Sequence, residues 1–384
     1  MKISIQTKLA PNNIQRTHLA KSAGTARFAY NWGLGLCQQV LQHNKLNPDD
    51  KIKFPSSIDL HKLLNASIKP EYPWFYEVSK SAPQFALRHL TDAFKRFFKM
   101  PAVGFPNFKQ KGIRDSFTVD GCVEVGTNFV KIPKIGKVRI YETLAPFKPS
   151  SVTIRRIAND WFVSFWYEID FPVVAHTTSS VGVDLGLKSL ATLSSEQVVE
   201  GPKSYRQSEK RLQQLQRRLS AEVRRGRIPP PTLRRKVKGS KNRDEARQKV
   251  AKLHAKVANI RKDSLHKLTT MICKNHTVIG IEDLNVSGML ANRKLAKAIS
   301  DMGFYEFKRQ LTYKSQKFGN KLVLIDRWFP SSKKCSCCGQ IKLDLTLSDR
   351  IYECSECGLV IDRDLNAALN IEQEALRILA LESA

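Results

Sequence analysis

The sequence predicts an α/β unit with a mixed sheet, preceded by a β-rich region that a helical insert splits. Three observations predict it. Beyond residue 180, apolar runs of strand length alternate with helical patterns. Residues 116–171 carry period-two runs broken by turn residues. Between the first strand and that stretch, apolar residues recur at three- and four-residue spacing.

The elements follow in order. Residues 1 to about 12 read as a strand, with Ile3 and Ile5 on one face. RFAYNWGLGLCQQVLQ and SAPQFALRHLTDAFKRFF read as amphipathic helices. GFPNFKQKGIRDSF is a basic, Gly/Pro-punctuated connector. VTIRRIANDWFVSFWYEI reads as a hairpin turning at Asn159-Asp160, and FVKIPKIGKVRI as another turning near Gly136. The N-terminal strand is expected to join this sheet. FPVVAHTTSS (171–180) reads as a linker. SVGVDLGLKSLATL then gives a buried strand, a turn and a second strand. Leu212, Leu215 and Leu219 make one helical stripe; Leu253, Val257 and Ile260 make another, with Gly226 and Pro229 to Pro231 breaking the helices. TVIGIEDLNV is a strand, a helix covers about 297–318, KLVLIDRW is a strand, and LVIDRD precedes a last amphipathic helix.

Charge narrows the partner. The 384 residues hold 64 Lys+Arg against 35 Asp+Glu, a formal net charge of +29. Between Lys203 and Lys267 stand 22 Lys/Arg and only 5 Asp/Glu. Such one-sided blocks repel unless a polyanion neutralises them, so nucleic acid is the expected partner; the alternative is a merely solvated basic face. No run approaches the length of a membrane span, and MKISIQTKLAPNN lacks the apolar segment of a signal peptide. Five of the eight cysteines fall within a 23-residue window, which suits a metal site in a reducing compartment. The expected setting is a prokaryotic cytoplasm, with nucleoid association when bound to DNA, or a nucleus.

Two constellations could carry chemistry. Cys335 and Cys338 form one C-x₂-C knuckle, and Cys354 and Cys357 form a second, 15 residues on. Four thiolates from two tight turns close a tetrahedron about Zn²⁺ and leave no open position, so this zinc is structural. Cys337 is left as a spare thiol. The second constellation is acidic. Asp184 ends SVGVD, Glu282 ends TVIGIE, and Asp364 follows LVID at the start of the last helix. Three acids at the ends of three buried strands suit two Mg²⁺ ions. Blander readings exist. Asp184 could form a turn before Gly186, and Asp364 could simply cap its helix.

At these residues the chain resembles TnpB, a family of RNA-guided DNA endonucleases of insertion sequences related to type V CRISPR effectors. The carriers are GFPNFKQKG, KIPKIGKV, GVDLGLKSLAT, IGIEDLNVSGM, WFPSSKKCSCCG, YECSECG and DRDLNAALNI. The resemblance implies an RNase H-like RuvC nuclease with catalytic Asp184, Glu282 and Asp364, the last in preference to Asp362. It implies a β-barrel wedge domain at 1–12 and 115–172, split by a helical recognition domain at 13–114. The RuvC domain spans 180–329 and 360–384, with the basic hairpin at 203–267 and a zinc-ribbon target-strand-loading module at 330–359. It further implies a guide RNA from the transposon end, double-stranded target DNA, and one chain per RNA. Lys80 and Gln84 match positions that read a transposon-adjacent motif, and Arg350 matches an arginine near the active site, or is an ordinary exposed arginine. A guided binder or transposition accessory without cleavage stays open as an alternative. A strand transferase ranks below both, since the eight histidines are scattered and form no HUH pair.

Overall fold

The computed structural model describes residues 2–168, 178–225, 240–346 and 348–383, divided into two compact units, Met1–Ile169 and Asp170–Ala384. Residues 171–177 of the linker, and Gly226 with Pro229 to Pro231, lie outside the described residues.

The first unit opens with β1 (Lys2–Ala10), then α1 (Asn13–Leu46), α2 (Ser57–Leu63) and α3 (Ser81–Lys99). It continues with β2 (Ser116–Asp120), β3 (Glu124–Val125), β4 (Phe129–Ile132), β5 (Gly136–Ile140), β6 (Ser151–Ile157) and β7 (Asp160–Glu168). Asn12 starts α1 through a reciprocal box with Gln15, which satisfies two otherwise orphaned N–H groups. The strands make one seven-stranded sheet in the order β2-β6-β7-β1-β5-β4-β3. β1 is antiparallel to both β7 and β5, so the N-terminal strand joins a sheet whose other strands follow the helices. The β6–β7 turn falls one residue earlier than the sequence suggested. Ala158 and Asn159 take φ of 49° and 79°, and Asp160 already pairs with Ile157. Two positive φ values are what a tight type I′ hairpin requires, so the turn sits where they fall.

The second unit holds β8 (Thr178–Asp184), β9 (Ala191–Leu193), β10 (Val198–Val199), α4 (Ser204–Arg225), α5 (Lys241–Asn275) and β11 (His276–Glu282). Then come α6 (Val286–Ala291), α7 (Ala296–Met302), α8 (Phe304–Phe318), β12 (Lys321–Ile325), β13 (Ile351–Glu353), β14 (Val360–Asp362) and α9 (Arg363–Ser383). The sheet order is β10-β9-β8-β11-β12, with β8, β11 and β12 parallel and β9 antiparallel to β8. α5 and α8 cover the sheet through Leu265, Leu268, Ile272, Phe304, Phe307 and Leu311, all buried. α4 packs along α5, where Leu212 and Val257 are buried. Ile260 does not belong to that seam and is exposed. Asp301, itself buried, accepts from the backbone N–H groups of Tyr205 and Arg206 at 3.0 and 3.2 Å and so caps α4.

Two expectations change. The single helix over 297–318 is two, because Gly303 at φ 75° ends α7 and opens α8. LVID is no buried strand of the main sheet: among the described residues β14 pairs with β13 alone, and its residues are largely exposed.

Candidate carboxylate centre and cysteine knuckle

β8 and β11 are neighbours in register, with Gly182 opposite Gly280 and Val183 opposite Ile281. The next residues, Asp184 and Glu282, therefore leave the sheet side by side. Side chains two apart share a face, so each glycine lies beneath its acid on one surface. That surface seats α9. A Cβ on Gly182 would stand 2.0 Å from the Ala368 carbonyl oxygen and 2.5 Å from the Glu372 nitrogen. One on Gly280 would stand 2.9 Å from the Ala375 Cβ. Only bare backbone allows this approach. Asp364 sits one helical turn before Ala368, and so approaches Asp184 from a helix rather than from a strand end.

The electrostatics follow from this crowding. Burial first, then the charges of Glu282 and Asp364, push the Asp184 carboxyl up to about 7. Arg363 and the Leu185 N–H oppose the shift. Burial also raises Glu282, against the Ser331 hydroxyl that donates to its Oε1 at 2.5 Å. Arg363 donates to Asp364 Oδ1 at 3.0 and 3.3 Å. Asp362 caps α9, accepting from the N–H groups of Asp364 and Leu365 at 2.9 and 3.1 Å. The capping role considered for Asp364 thus falls to Asp362, and the Asp364 side chain is left to the acid cluster. Asp283 turns to Lys308 at 2.5 Å and Arg327 at 3.4 Å. A half-buried, all-oxygen donor set whose charges act on Asp184 fits hard divalent cations such as Mg²⁺.

The cysteines converge as their spacing requires. Cys335, Cys338, Cys354 and Cys357 bring their sulfurs within 4.8 Å of one another. Cys335–Cys357 and Cys338–Cys354 are each 3.6 Å apart. The edge of a tetrahedron with Zn–S of about 2.3 Å is about 3.8 Å, so the set fits one Zn²⁺. Cys337 stays outside it and is exposed. Tyr352, fully buried, packs among Cys335, Cys354 and Leu345 and donates to the Lys333 and Gln340 carbonyls at 3.3 Å.

The ribbon is bolted to α9 by residues the sequence reading passed over. Asn366 donates to the Lys334 carbonyl at 2.7 Å and accepts from the Ser336 N–H at 3.0 Å. Asn370 donates to the carbonyls of Ser331 and Lys334 at 2.8 and 2.6 Å. Both are 0% exposed. Two asparagines four apart on an otherwise apolar helix face were the available signal.

Arg350 is exposed, and its carbonyl accepts from the Arg363 N–H at 2.8 Å. The arginine that touches Asp364 is Arg363. In the first unit, exposed Lys80 precedes α3 and lines a cavity of about 380 Å³ with His61, Asn65, Lys69, Tyr76 and Lys134. Gln84 is half-buried in the first turn of that helix.

The second unit is thus an α/β protein with a carboxylate centre and a cysteine knuckle seated on the helix that supplies one of the acids. Family models match along most of the chain: a helix-turn-helix domain over residues 1–45, a probable transposase over 164–228 and 231–293, and a Cas12f1-like TNB domain over 304–371. A Streptomyces pristinaespiralis protein named as an RNA-guided DNA endonuclease is 34% identical across 97% of this chain and 89% of its own length. InsQ of Escherichia coli K12, similarly named, is 32% identical across 97% and 92%. The chain belongs to the OrfB/TnpB family of insertion-sequence proteins. Among solved structures, the CRISPR-Cas_phi3 endonuclease aligns over 98% of this chain and 92% of its own, at 10% identity and a TM-score of 0.47. A Cas12f1–sgRNA–target DNA complex aligns over 97% and 99%, at 14% and 0.34. The family assignment rests on the relatives and the family models.

Proposed function

We propose that this chain is an RNA-guided DNA endonuclease with one nuclease centre built from Asp184, Glu282 and Asp364. The observation that carries the reading is that Glu282, on neighbouring β11, and Asp364, on the helix seated against β8, both lie near enough to Asp184 to act on its carboxyl. The order β10-β9-β8-β11-β12, antiparallel only at β9 and β10, supports an RNase H-like RuvC domain. Two Mg²⁺ would be held by the three acids; when bound they supply water activation and stabilise a leaving 3′ oxygen. The chain's own residues prepare that site. Ser331 orients Glu282, Arg363 holds Asp364 in place, and Asp362 frees Asp364 by taking the cap.

The remaining parts have roles that follow from charge and placement. The basic α4–α5 pair suits a guide RNA and its heteroduplex, held by backbone shape and charge while base pairing supplies sequence. The seven-stranded sheet corresponds to the wedge and the helices α1 to α3 to the recognition insert. Lys80, and with it Gln84, is proposed to read the transposon-adjacent motif, and Arg350 to approach a phosphate. Cys335, Cys338, Cys354 and Cys357 would hold a structural Zn²⁺. A single centre must cut both strands in turn, with the ribbon beside it to help deliver them.

The test is cleavage of a matched plasmid by protein purified with RNA from its own locus, in Mg²⁺ and in EDTA. Plasmid left intact across randomised adjacent sequences refutes the nuclease reading and favours a guided binder. Asp184→Ala, Glu282→Ala and Asp364→Ala are each expected to abolish cutting and spare target binding. Equal loss of binding would make the acids structural instead.

A further inference from the structure

The outward face of α8 and the loop after β12 carry aromatic groups that the core does not use. Trp328 is 85% exposed and Tyr305 is 70% exposed. Large aromatics this bare mark contact surfaces when they join into one patch. These do join. Asp283, the residue after Glu282, is gripped from α8 by Lys308 at 2.5 Å and from the loop by Arg327 at 3.4 Å. One carboxylate therefore ties the α8 face to the residue beside Trp328.

The loop is held in this pose. The Trp328 N–H donates to Asp326 Oδ1 at 2.8 Å, Phe329 packs against the cluster of Ile325 and Ile371, and Ser331 reaches Glu282 at 2.5 Å. Flanked by these anchors, the indole is left exposed three residues before Ser331, the residue that touches Glu282. On α8, Tyr305, Lys308, Arg309, Thr312, Tyr313 and Gln316 line a shallow cavity of about 320 Å³. Glu306 takes the Arg309 guanidinium on both oxygens at 2.7 Å, and Arg309 lies 5.6 Å from the Tyr313 ring centre. The acids on this face are thereby engaged: Glu306 by Arg309, Asp283 by Lys308 and Arg327, Asp326 by the loop N–H. Aromatic platforms interleaved with cations are how proteins hold unpaired bases without reading their sequence.

We infer that Trp328 and the Tyr305–Tyr313 face of α8 form a stacking track for unpaired bases of single-stranded DNA, leading the strand to Asp184, Glu282 and Asp364. The inference rests on the nuclease reading for its destination. The track itself is a binding site and is testable without cleavage. Trp328 and Tyr305 are positioning residues here, since neither touches the acids.

The experiment uses the full chain loaded with its copurified RNA and a fluorescent oligo-dT of about 12 nucleotides, within the span such sites cover. Binding is read by anisotropy in EDTA, where cutting plays no part. Trp328→Ala and Tyr305→Ala are each expected to weaken binding about 5- to 150-fold, the range of losing one stacked base. Trp328→Phe and Tyr305→Phe should stay within about threefold of the parent. Oligo-dT should also quench the parent's tryptophan emission more than that of Trp328→Phe. In Mg²⁺, the alanine variants should need more single-stranded substrate to reach half-maximal rate while saturated turnover holds. Alanine variants that bind like the parent, phenylalanine variants that lose as much as alanine, or equal quenching each overturn the track. A greater loss on oligo-U than on oligo-dT overturns its assignment to DNA. A parent that binds oligo-dT but never cuts a matched plasmid refutes the nuclease reading, and the anisotropy series still decides the track.

Discussion

Gly182→Ala is the sharpest perturbation that the centre offers. The added carbon would stand 2.0 Å from the Ala368 carbonyl oxygen and 2.5 Å from the Glu372 nitrogen. A carbon rests about 3.3 Å from a carbonyl oxygen, so α9 must retreat from β8 by more than about 1 Å. Both clashing atoms are backbone, and no side-chain rotation relieves them. Overpacking of this kind costs about 1–3 kcal/mol, and here the upper end applies. For a unit of this size that lowers the melting temperature by about 6–10 °C. The functional loss is larger, because Asp364 rides on the displaced helix, and a misplacement of about 1 Å costs about 100-fold in rate. Gly280→Ala meets the Ala375 Cβ at 2.9 Å and the Ile371 oxygen at 3.0 Å, so a shift of a few tenths of an ångström suffices. About 1 kcal/mol and a loss of only several-fold are expected there. Gly35→Ala, in α1 with nothing within 4 Å of the new carbon, is the control and should leave stability level or slightly raised. Thermal melts and single-turnover cleavage decide. A Gly182→Ala variant with parental melting and rate, or one milder than Gly280→Ala, would show that α9 does not set the centre.

Asn366→Ala and Asn370→Ala each strip buried hydrogen bonds from the ribbon's seat and should cost about 1–3 kcal/mol, with cleavage falling while RNA binding stays level. A pair of variants with parental melting would place the ribbon's anchorage elsewhere. Cys354→Ser should drop zinc content, read by metal analysis of the purified chain; retention of one zinc per chain would refute the ligand set. Asp184, held up to about 7, must lose a proton before it can bind a cation, so the Mg²⁺ needed for half-maximal cleavage should rise as pH falls below about 7, approaching tenfold per unit for one displaced proton. A half-saturation point that is level between pH 6 and 8 counts against this.

Some of this was legible from residue order alone. Cysteine knuckles declare themselves by spacing, since each pair's geometry is local. Glu282 stood out because an acid beside an apolar run has no evident packing use, whereas Asp184 could also be read as a turn residue before Gly186; both strands formed where their β-branched runs lay. The support of the third acid, Asp364, was misread: VID pairs with β13 in the ribbon, and α9 carries Asp364. That misreading has a physical cause. The seat of α9 on β8 joins segments about 190 residues apart in sequence, as in the Ser180–Glu372 hydrogen bond, and no local pattern encodes such a pairing. Traces of it were present nonetheless. Gly182 and Gly280 each stand two residues before an acid, on the acid's own face, and Asn366 and Asn370 stand one turn apart.

The two asparagines and two glycines also explain why the ribbon runs into α9 without a linker. The centre is unfavourable in itself. The Asp184 carboxyl is raised from its ordinary 3.8 to about 7, so the folded state binds the proton more tightly than the unfolded chain does. Stability of the metal-free protein must therefore fall as pH rises from about 4 to about 7, by an amount on the order of a few kcal/mol. Something has to keep Glu282 and Asp364 close to Asp184 against that penalty. Backbone contact at Gly182 presses α9 onto the sheet from one side, and Asn366 and Asn370 clamp it to the cysteine knuckle from the other. A flexible linker between Cys357 and Asp364 would uncouple the clamp from the acid that it steadies. Continuity of the chain there is a mechanical requirement of the centre. By the same reasoning, Asp184→Asn should stabilise the metal-free protein at neutral pH while destroying its capacity to cut, and a variant that melts at or below the parent's temperature at pH 7.5 would refute the account.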